Sequence, residues 1–328
     1  MRGMMRSAAC AAVMFGAVAG LAPAASADDW TCYTYNPQEV IVKGLDAIGQ
    51  RIEQITANRV DVTCHPGGSL GIAAADITAA VSDGVVQYAS NAFITGSVPL
   101  VGMFSLPGLF ATEEELYKGL EVMRPYIEAQ MAEQGLVYLG EYNYPRQVIF
   151  STDIIDSLDD LKGKKARVAS VEQAEFVTRF GGSPVTIGTP DGAPALQRGT
   201  ISVVLTAASG RPRLRQDRLE SNDVIGPNFT VSPVIMSQDA WDSLSAEEQT
   251  QVRAAVQEVT KTMSDTLRSD NQVMLDSYKA KGMQVAEGTA AEEALMIETL
   301  KDYWPQWAAE RGPVAAEALE KVRAALGK

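Results

Sequence analysis

Residues 146–168 read RQVIFSTDIIDSLDDLKGKKARV, and two arginines in this stretch lie at the ends of candidate strands. Arg146 opens a run to Phe150 that is typical of a strand start. Arg167 closes a short strand, and the residues that follow it lead into a helix. In an open α/β sheet, ligands bind at the carboxyl ends of strands and beside helix N-termini. The stretch therefore indicates an α/β fold with an anion site that involves Arg167 and Arg146.

Arginine suits a carboxylate ligand because its planar guanidinium pairs with both oxygens and stays charged when it leaves water. Two other roles stay open for each arginine: capping a helix, or pairing with an acid across the sheet. Such structural roles are the commoner ones for an arbitrary arginine, since charged groups mark sites only statistically. The choice between a ligand-binding role and a structural role for the two arginines therefore depends on motifs elsewhere in the chain.

Seven short motifs follow one another in a specific order, although each alone is weak. They are HPGGSLG (65–71), SDG (82–84), SLPGLF (105–110), RQ (146–147), DLKGKKARV (160–168), GGSP (181–184) and ALQRG (195–199). In order and spacing the chain resembles the extracytoplasmic solute receptors of tripartite ATP-independent periplasmic (TRAP) transporters, over nearly all of the chain after residue 27.

This resemblance implies a two-lobed α/β fold, a type II-like periplasmic binding protein, with a long helix that spans both lobes. It implies that Arg167 forms the main salt bridge to the ligand carboxylate and that Arg146 assists. The implied partners are a small carboxylate-bearing organic acid and the integral-membrane permease subunits. The predicted function is capture of the solute in the interlobe cleft and delivery to the permease.

The chain also departs from the pattern of these receptors. Many of them carry an aromatic residue, a glutamate and a tyrosine just before the ALQxG motif, and a VDGxE-like strand after it. Here those positions are Thr189, Asp191 and Ala193, followed by 201–206. The wall opposite the arginines is therefore rebuilt, and the identity of the solute stays open.

The N-terminus predicts an exported protein. Arg2 and Arg6 precede an apolar segment from Ala8 to Leu21, and Ala-Ser-Ala before Asp28 fits a small-x-small cleavage site. A transmembrane anchor is disfavoured because the apolar run is shorter than the about 20 residues that a span needs. We therefore expect a signal peptide over 1–27, cleavage after Ala27 and a periplasmic location.

Length and charge bound the function further. The chain has 328 residues and a net charge of −13, and the predicted signal segment carries only basic charge. A protein this acidic is a poor nucleic-acid binder, despite four arginines within 211–218. The length exceeds one typical core and predicts two lobes. We place lobe I at 28–143 plus about 233–272, and lobe II at 144–232 plus about 273–328.

Two cysteines remain after residue 27, Cys32 and Cys64, each in a candidate strand. If the strands pair as neighbours of a βαβ unit, a disulfide forms in an oxidising compartment; free buried thiols are the alternative. The single histidine, His65, adjoins Cys64 and points to the opposite face of its strand, so no metal site is predicted.

Because ligands of α/β sheets bind where strands end, residues that follow strands are the candidates for the rest of the pocket. Asn36 follows the first candidate strand, Asn91 follows the strand over 85–90, and Thr206 follows the strand over 201–205. Turn or capping roles are the alternative for each residue. The full candidate set is Tyr33, Tyr35, Asn36, Asn91, Tyr144 and Thr206, besides the two arginines.

No constellation of enzyme residues is found in the sequence. One histidine leaves little choice for a nucleophile–base pair, and neither a nucleophile elbow nor a phosphate-binding glycine loop is present. No enzyme activity and no cofactor are therefore expected. A ligand-binding input protein of a periplasmic signalling system is the second hypothesis, and an enzyme on a similar scaffold is the third.

Overall fold

The computed structural model describes residues 28–187, 189–208, 220–222, 226–284, 286 and 288–328. The predicted signal peptide and the arginines of 211–218 lie outside these residues. Within them, strands and helices alternate and form two separate five-stranded sheets. None of the described helices is both long enough and apolar enough to span a bilayer.

The first sheet has the strand order β2-β1-β3-β10-β4. Its strands β1, β2 and β3 run parallel to one another, and β10 is antiparallel to both β3 and β4. The bounds are β1 (Asp28–Thr34), β2 (Val60–Pro66), β3 (Tyr88–Ser90), β4 (Leu136–Tyr144) and β10 (Thr230–Ser237).

The second sheet has the order β7-β6-β8-β5-β9. Strand β6 is parallel to β7 and β8, whereas β5 is antiparallel to β8 and β9. The bounds are β5 (Val148–Ser151), β6 (Lys165–Val168), β7 (Ser183–Thr186), β8 (Val203–Thr206) and β9 (Glu220–Asn222).

Helices cover both faces of each sheet, as an α/β fold requires. Successive strand residues point to opposite faces, so Cys32 belongs to the core beneath α1 and α7 while Tyr33 belongs to the core beneath α2 and α3. The helices are α1 (Glu39–Ile55), α2 (Ile77–Ser82), α3 (Glu113–Ala132), α4 (Val171–Arg179), α5 (Thr189–Gln197), α6 (Gln238–Asp242), α7 (Ala246–Ala280), α8 (Ala290–Leu300), α9 (Tyr303–Glu310) and α10 (Pro313–Leu326).

The long helix α7 joins the two sheets. It begins with a capping box in which Ser245 and Glu248 bond each other's backbone N–H groups. Val256 packs in the core of the first sheet, and Tyr278 packs in a core of the second. With 35 residues at about 1.5 Å each, α7 is roughly 50 Å long. The two-lobed fold and its long spanning helix are therefore confirmed.

The C-terminal helices differ from the predicted division into lobes. That division placed all of 273–328 in lobe II, and α8 does contribute Met296 and Leu300 to a core of the second sheet. Helices α9 and α10, however, pack through Trp304, Trp307 and Leu319 in the core that contains α3, beside the first sheet. Helical periodicity identifies an apolar face but not the sheet that it covers, so the packing of these two helices was not predictable from their sequence. The bounds of the two lobes stay a prediction.

Cys32 and Cys64 form the predicted disulfide. They are register partners on the parallel strands β1 and β2, with Cα atoms 4.3 Å apart. Their two strands are connected by α1, so the neighbouring placement that the βαβ pattern predicted is confirmed. The bridge ties the first helix and strand pair of the protein into one closed loop.

Candidate functional site

A cavity of about 280 Å³ opens at the carboxyl ends of β1 and β3, beside the end of β4. Tyr35, Asn36, Asn91 and Tyr144 all line it, so the structure brings four of the predicted residues together. We call it the aromatic cavity. Its lining consists of Thr34, Tyr35, Asn36, Pro37, Gly67, Ile77, Ser90, Asn91, Ala92, Phe93, Tyr142 and Tyr144.

Asn36 links the end of β1 to the end of β4. Its Nδ2 donates to the Tyr144 hydroxyl at 2.7 Å, and its Oδ1 accepts the Gln38 N–H at 2.9 Å. An asparagine that accepts from the backbone two residues later forms a tight turn, which here aims the chain into α1. The predicted pocket role and the alternative turn role therefore coincide in one residue.

Asn91 is held on both sides of its amide. Its Oδ1 accepts the Phe93 N–H at 2.9 Å, and its Nδ2 donates to Thr78 Oγ1 at 3.1 Å. The residue is 1% exposed. Because the amide is fixed, the turn that follows β3 is fixed too, and it presents Phe93 edge-on to Tyr35 with ring centroids 6.4 Å apart.

A row of hydroxyl groups runs across the cavity. Tyr142 donates to Ser90 Oγ at 3.3 Å, and Ser90 donates to Thr34 Oγ1 at 3.1 Å. Burial raises the pKa of the Tyr142 phenol, so it stays neutral at physiological pH. The polar groups of this row are uncharged and already oriented.

Arg167 lies at the carboxyl edge of the second sheet. Its Nε donates to the Ile187 carbonyl at 2.9 Å, and Nη1 donates to the Leu205 carbonyl at 3.2 Å. The residue is only 3% exposed, and burial lowers the pKa of its guanidinium to about 10. It therefore still carries its charge at neutral pH, in a poorly hydrated position at the ends of β7 and β8.

Thr206 ends β8, next to the carbonyl that Arg167 bonds, and its side chain is half-buried. The aromatic cavity does not include it among its described lining residues. Tyr33 does not line the cavity either: it is fully buried in the first-sheet core, and its hydroxyl donates to the Ile72 carbonyl at 2.7 Å. Tyr33 is therefore a core residue rather than a residue of the cavity lining.

Arg146 is not among the residues that line the aromatic cavity. Its Nε donates to the Gly226 carbonyl at 2.7 Å, Nη1 to the Ala111 carbonyl at 3.3 Å, and Nη2 to Glu293 at 3.1 Å. It lines a separate groove along α7 instead. The geometry thus matches the structural alternative, pairing with an acid, more closely than the expected assistance to Arg167.

A family model described as bacterial extracellular solute-binding protein, family 7 (DctP), matches residues 32–311. The chain belongs to this family. Members of family 7 are extracytoplasmic solute receptors, and the resemblance to TRAP receptors that the motifs indicated is confirmed.

Relatives of this family-7 protein match it over half to most of its length. The C4-dicarboxylate-binding periplasmic protein DctP of Rhodobacter capsulatus is 23% identical over 292 residues, 87% of each chain. The uncharacterized protein YiiZ of Salmonella typhimurium is 32% identical over 176 residues, and the match spans only 53% of that relative. Among solved structures, DctP7 of Bordetella pertussis, a receptor binding pyroglutamic acid, has a TM-score of 0.81 at 21% identity and covers 90% of this chain and 99% of its own.

The sequence did not predict one contact and one residue of the cavity. Ser170 Oγ accepts the Gln173 N–H at 3.3 Å and caps α4, while the Gln173 amide donates to Asn228 at 3.1 Å. This bond ties the start of α4 to residues 226–229, which lead the chain back from the second sheet to the first and which we call the returning crossover. Phe93 was also missed, although it lies only two residues beyond Asn91, which was predicted because it follows a strand.

Of the three positions before the ALQRG motif that depart from the family pattern, the structure describes the side chain of one. Ala193 is partly buried against a core of the second sheet. The side chains of Thr189 and Asp191 lie outside the described residues, as do the arginines of 211–218. The rebuilt wall of this receptor therefore stays a prediction.

Proposed function

We propose that this receptor captures a small carboxylate-bearing organic acid between its lobes, holds the carboxylate at Arg167, and delivers the acid to a membrane TRAP permease. The observation that carries the proposal is the buried Arg167 guanidinium at the carboxyl edge of the second sheet. Strand ends of this kind are where α/β sheets bind ligands. The named ligands of DctP and DctP7, a C4-dicarboxylate and pyroglutamic acid, are also carboxylates.

The environment of Arg167 favours a carboxylate over a neutral solute. Two strand-end carbonyls fix the guanidinium, so little side-chain entropy is lost when a ligand arrives. Burial weakens the hydration of the charge, which strengthens its attraction to an anion. Closure of the two lobes by hinge motion would complete the site from the other side, where Asn36, Asn91 and Tyr144 supply uncharged hydrogen-bonding groups.

A thermal-shift screen of organic acids on the purified mature protein tests the proposal. A true ligand at 100 times its dissociation constant adds about 2.7 kcal/mol of stability, which is readily seen as a higher melting temperature. The same acids as neutral amides or methyl esters are the controls. If no carboxylic acid stabilises the protein, or if amides and acids act equally, the proposed function is wrong.

For Arg146 we propose a bracing role in place of the assisting role that the resemblance implied. Its guanidinium bonds the carbonyl of Gly226 on the returning crossover, and it pairs with Glu293 of α8. Arg146 itself lies in the outgoing crossover, residues 145–147, which connect β4 of the first sheet to β5 of the second. One side chain thereby connects the two segments that pass between the sheets.

Replacement of Arg146 by alanine should lower the free energy of unfolding by about 1–2 kcal/mol, because two backbone carbonyls and Glu293 lose a charged donor. Solute affinity should change by less than about tenfold. Urea denaturation and calorimetry measure the two quantities. The matched control is Arg51→Ala, whose exposed pair with Glu258 should contribute little. An affinity loss as large as that of an Arg167 variant would show that Arg146 contacts the ligand and that the bracing role is wrong.

We also propose that the mature receptor begins at or near Asp28, in the periplasm. Strand β1 begins at this residue, and its N–H already bonds the Arg59 carbonyl at 2.8 Å. Intact-mass spectrometry of a periplasmic extract should therefore find a chain that lacks residues 1–27. Recovery of the uncleaved chain in the membrane fraction would contradict both the cleavage and the location.

A further inference from the structure

We infer that the solute is a monocarboxylate with a compact, uncharged and flat body, such as a small ring, which seats in the aromatic cavity while its carboxylate meets Arg167. This inference rests on the proposed function and narrows it. The juxtaposition that points to it is a set of three exposed or half-buried aromatic rings, Tyr35, Phe93 and Tyr144, beside a fixed amide, Asn91, at the carboxyl edge of the first sheet.

The size of the cavity limits the solute. Pockets for drug-sized ligands measure about 300–1,000 Å³, and this one holds about 280 Å³. Its shape is set by rigid parts, because the Asn91 amide fixes the turn that carries Phe93 and because Asn36 is bonded to Tyr144. A compact body therefore suits this space better than a drug-sized one.

The aromatic rings favour a flat body. Tyr35 and Phe93 stand at 83° to each other, so a planar group that lies on one ring meets the edge of the other. Aromatic groups prefer such offset and edge-to-face contacts because of the charge distribution of their rings. Phe93 is 37% exposed in this structure, which leaves much of its surface for a solute to cover.

The polar groups of the cavity suit an uncharged body. Every described residue that lines it is uncharged, and its polar groups are amides and hydroxyls. The Asn91 Nδ2 group has two hydrogens, and its bond to Thr78 uses one of them, so the second is a donor for a ring carbonyl or hydroxyl. A second carboxylate on this wall would lose its hydration without gaining an opposite charge, which is costly.

Calorimetry with three acids tests the inference on the intact mature protein. The probes are pyroglutamate, which has one carboxylate on a small flat lactam, succinate, which has a second carboxylate, and glucuronate, which has one carboxylate on a larger hydroxylated ring. We expect pyroglutamate to bind at least about tenfold more tightly than either of the others. Tighter binding of succinate or glucuronate overturns the inference.

Arg167→Ala separates this inference from the proposed function. If succinate binds most tightly and the binding depends on Arg167, the proposed function stands and the inference is wrong. If none of a broad panel of acids binds, both are wrong. If pyroglutamate binds most tightly and its binding depends on Arg167, both are supported.

A pair of aromatic variants tests the contact itself. Phe93→Ala should weaken pyroglutamate binding at least about tenfold, whereas Tyr117→Ala should leave it within twofold. Tyr117 is a matched control because its exposure, 40%, is close to that of Phe93 while it lies on α3, outside the cavity. Equal effects of the two substitutions would show that the aromatic cavity does not hold the solute. Because Phe93 is partly exposed, its variant is expected to fold, and circular dichroism checks this.

Discussion

Arg167→Ala is expected to weaken solute binding by about 2–5 kcal/mol, or roughly 30- to several-thousand-fold. The size of the effect follows from burial. The residue is 3% exposed and two carbonyls anchor its guanidinium, so neither water nor a dissolved cation can easily take over its contact with the ligand carboxylate. Folding should suffer less, by under about 2 kcal/mol, because the loss of the hydrogen bonds of Arg167 is partly offset by no longer burying a charge. Calorimetry and urea denaturation measure the two effects separately.

Arg167→Lys and Arg179→Ala complete this experiment. Lysine keeps the charge but cannot form the planar two-pronged contact, so it should restore binding only in part. Arg179 lies on α4 of the same lobe and pairs with Glu175 and Asp302 at the surface, so its removal should leave affinity nearly unchanged. If Arg167→Ala binds within about threefold of the wild type, Arg167 is not the carboxylate partner.

The part of the candidate site that the sequence brought together depends on local rules. Asn36 and Asn91 each follow a parallel strand, and parallel strands that are neighbours bring their carboxyl ends to the same edge. Two residues that are 55 positions apart therefore meet without any knowledge of the helices between them. The capping box that begins α7 is equally local, since Ser245 and Glu248 are three positions apart.

What the sequence could not predict depends on partners far away along the chain. Arg146 has the right residue type at a strand start, but the direction of its side chain is decided by Gly226 and Glu293, which lie 80 and 147 positions further on. The same limit applies to α9 and α10: their apolar faces are evident, yet the packing of α10 against α3, and of α9 against α10, is a property of the assembled fold. Local patterns specify elements and edges, whereas long-range contacts specify which element a side chain or helix meets.

Loss of the Cys32–Cys64 disulfide is expected to lower the free energy of unfolding by about 3–4 kcal/mol in the chain-entropy model. The bridge closes a loop with a sequence separation of 32, which restricts the unfolded chain far more than the folded one. The appropriate variant replaces both cysteines by alanine, because Cys32 is fully buried and a serine there would bury a hydroxyl group. Urea denaturation of the variant and of the oxidised wild type gives the difference.

Reduced wild-type protein is the control that isolates the cross-link, because its sequence is unchanged and only the bond is missing. It should lose nearly as much stability as the double variant, and any excess loss in the variant measures the smaller side chain at Cys32. Solute affinity should change little, since neither cysteine lines the aromatic cavity. Two titratable thiols in denatured, unreduced mature protein would contradict the bridge. A stability loss below about 1 kcal/mol on reduction would contradict the expected size of the effect. It would show that the unfolded chain is already constrained without the bridge. It would also show that β1 and β2 keep their register through α1 and their own hydrogen bonds.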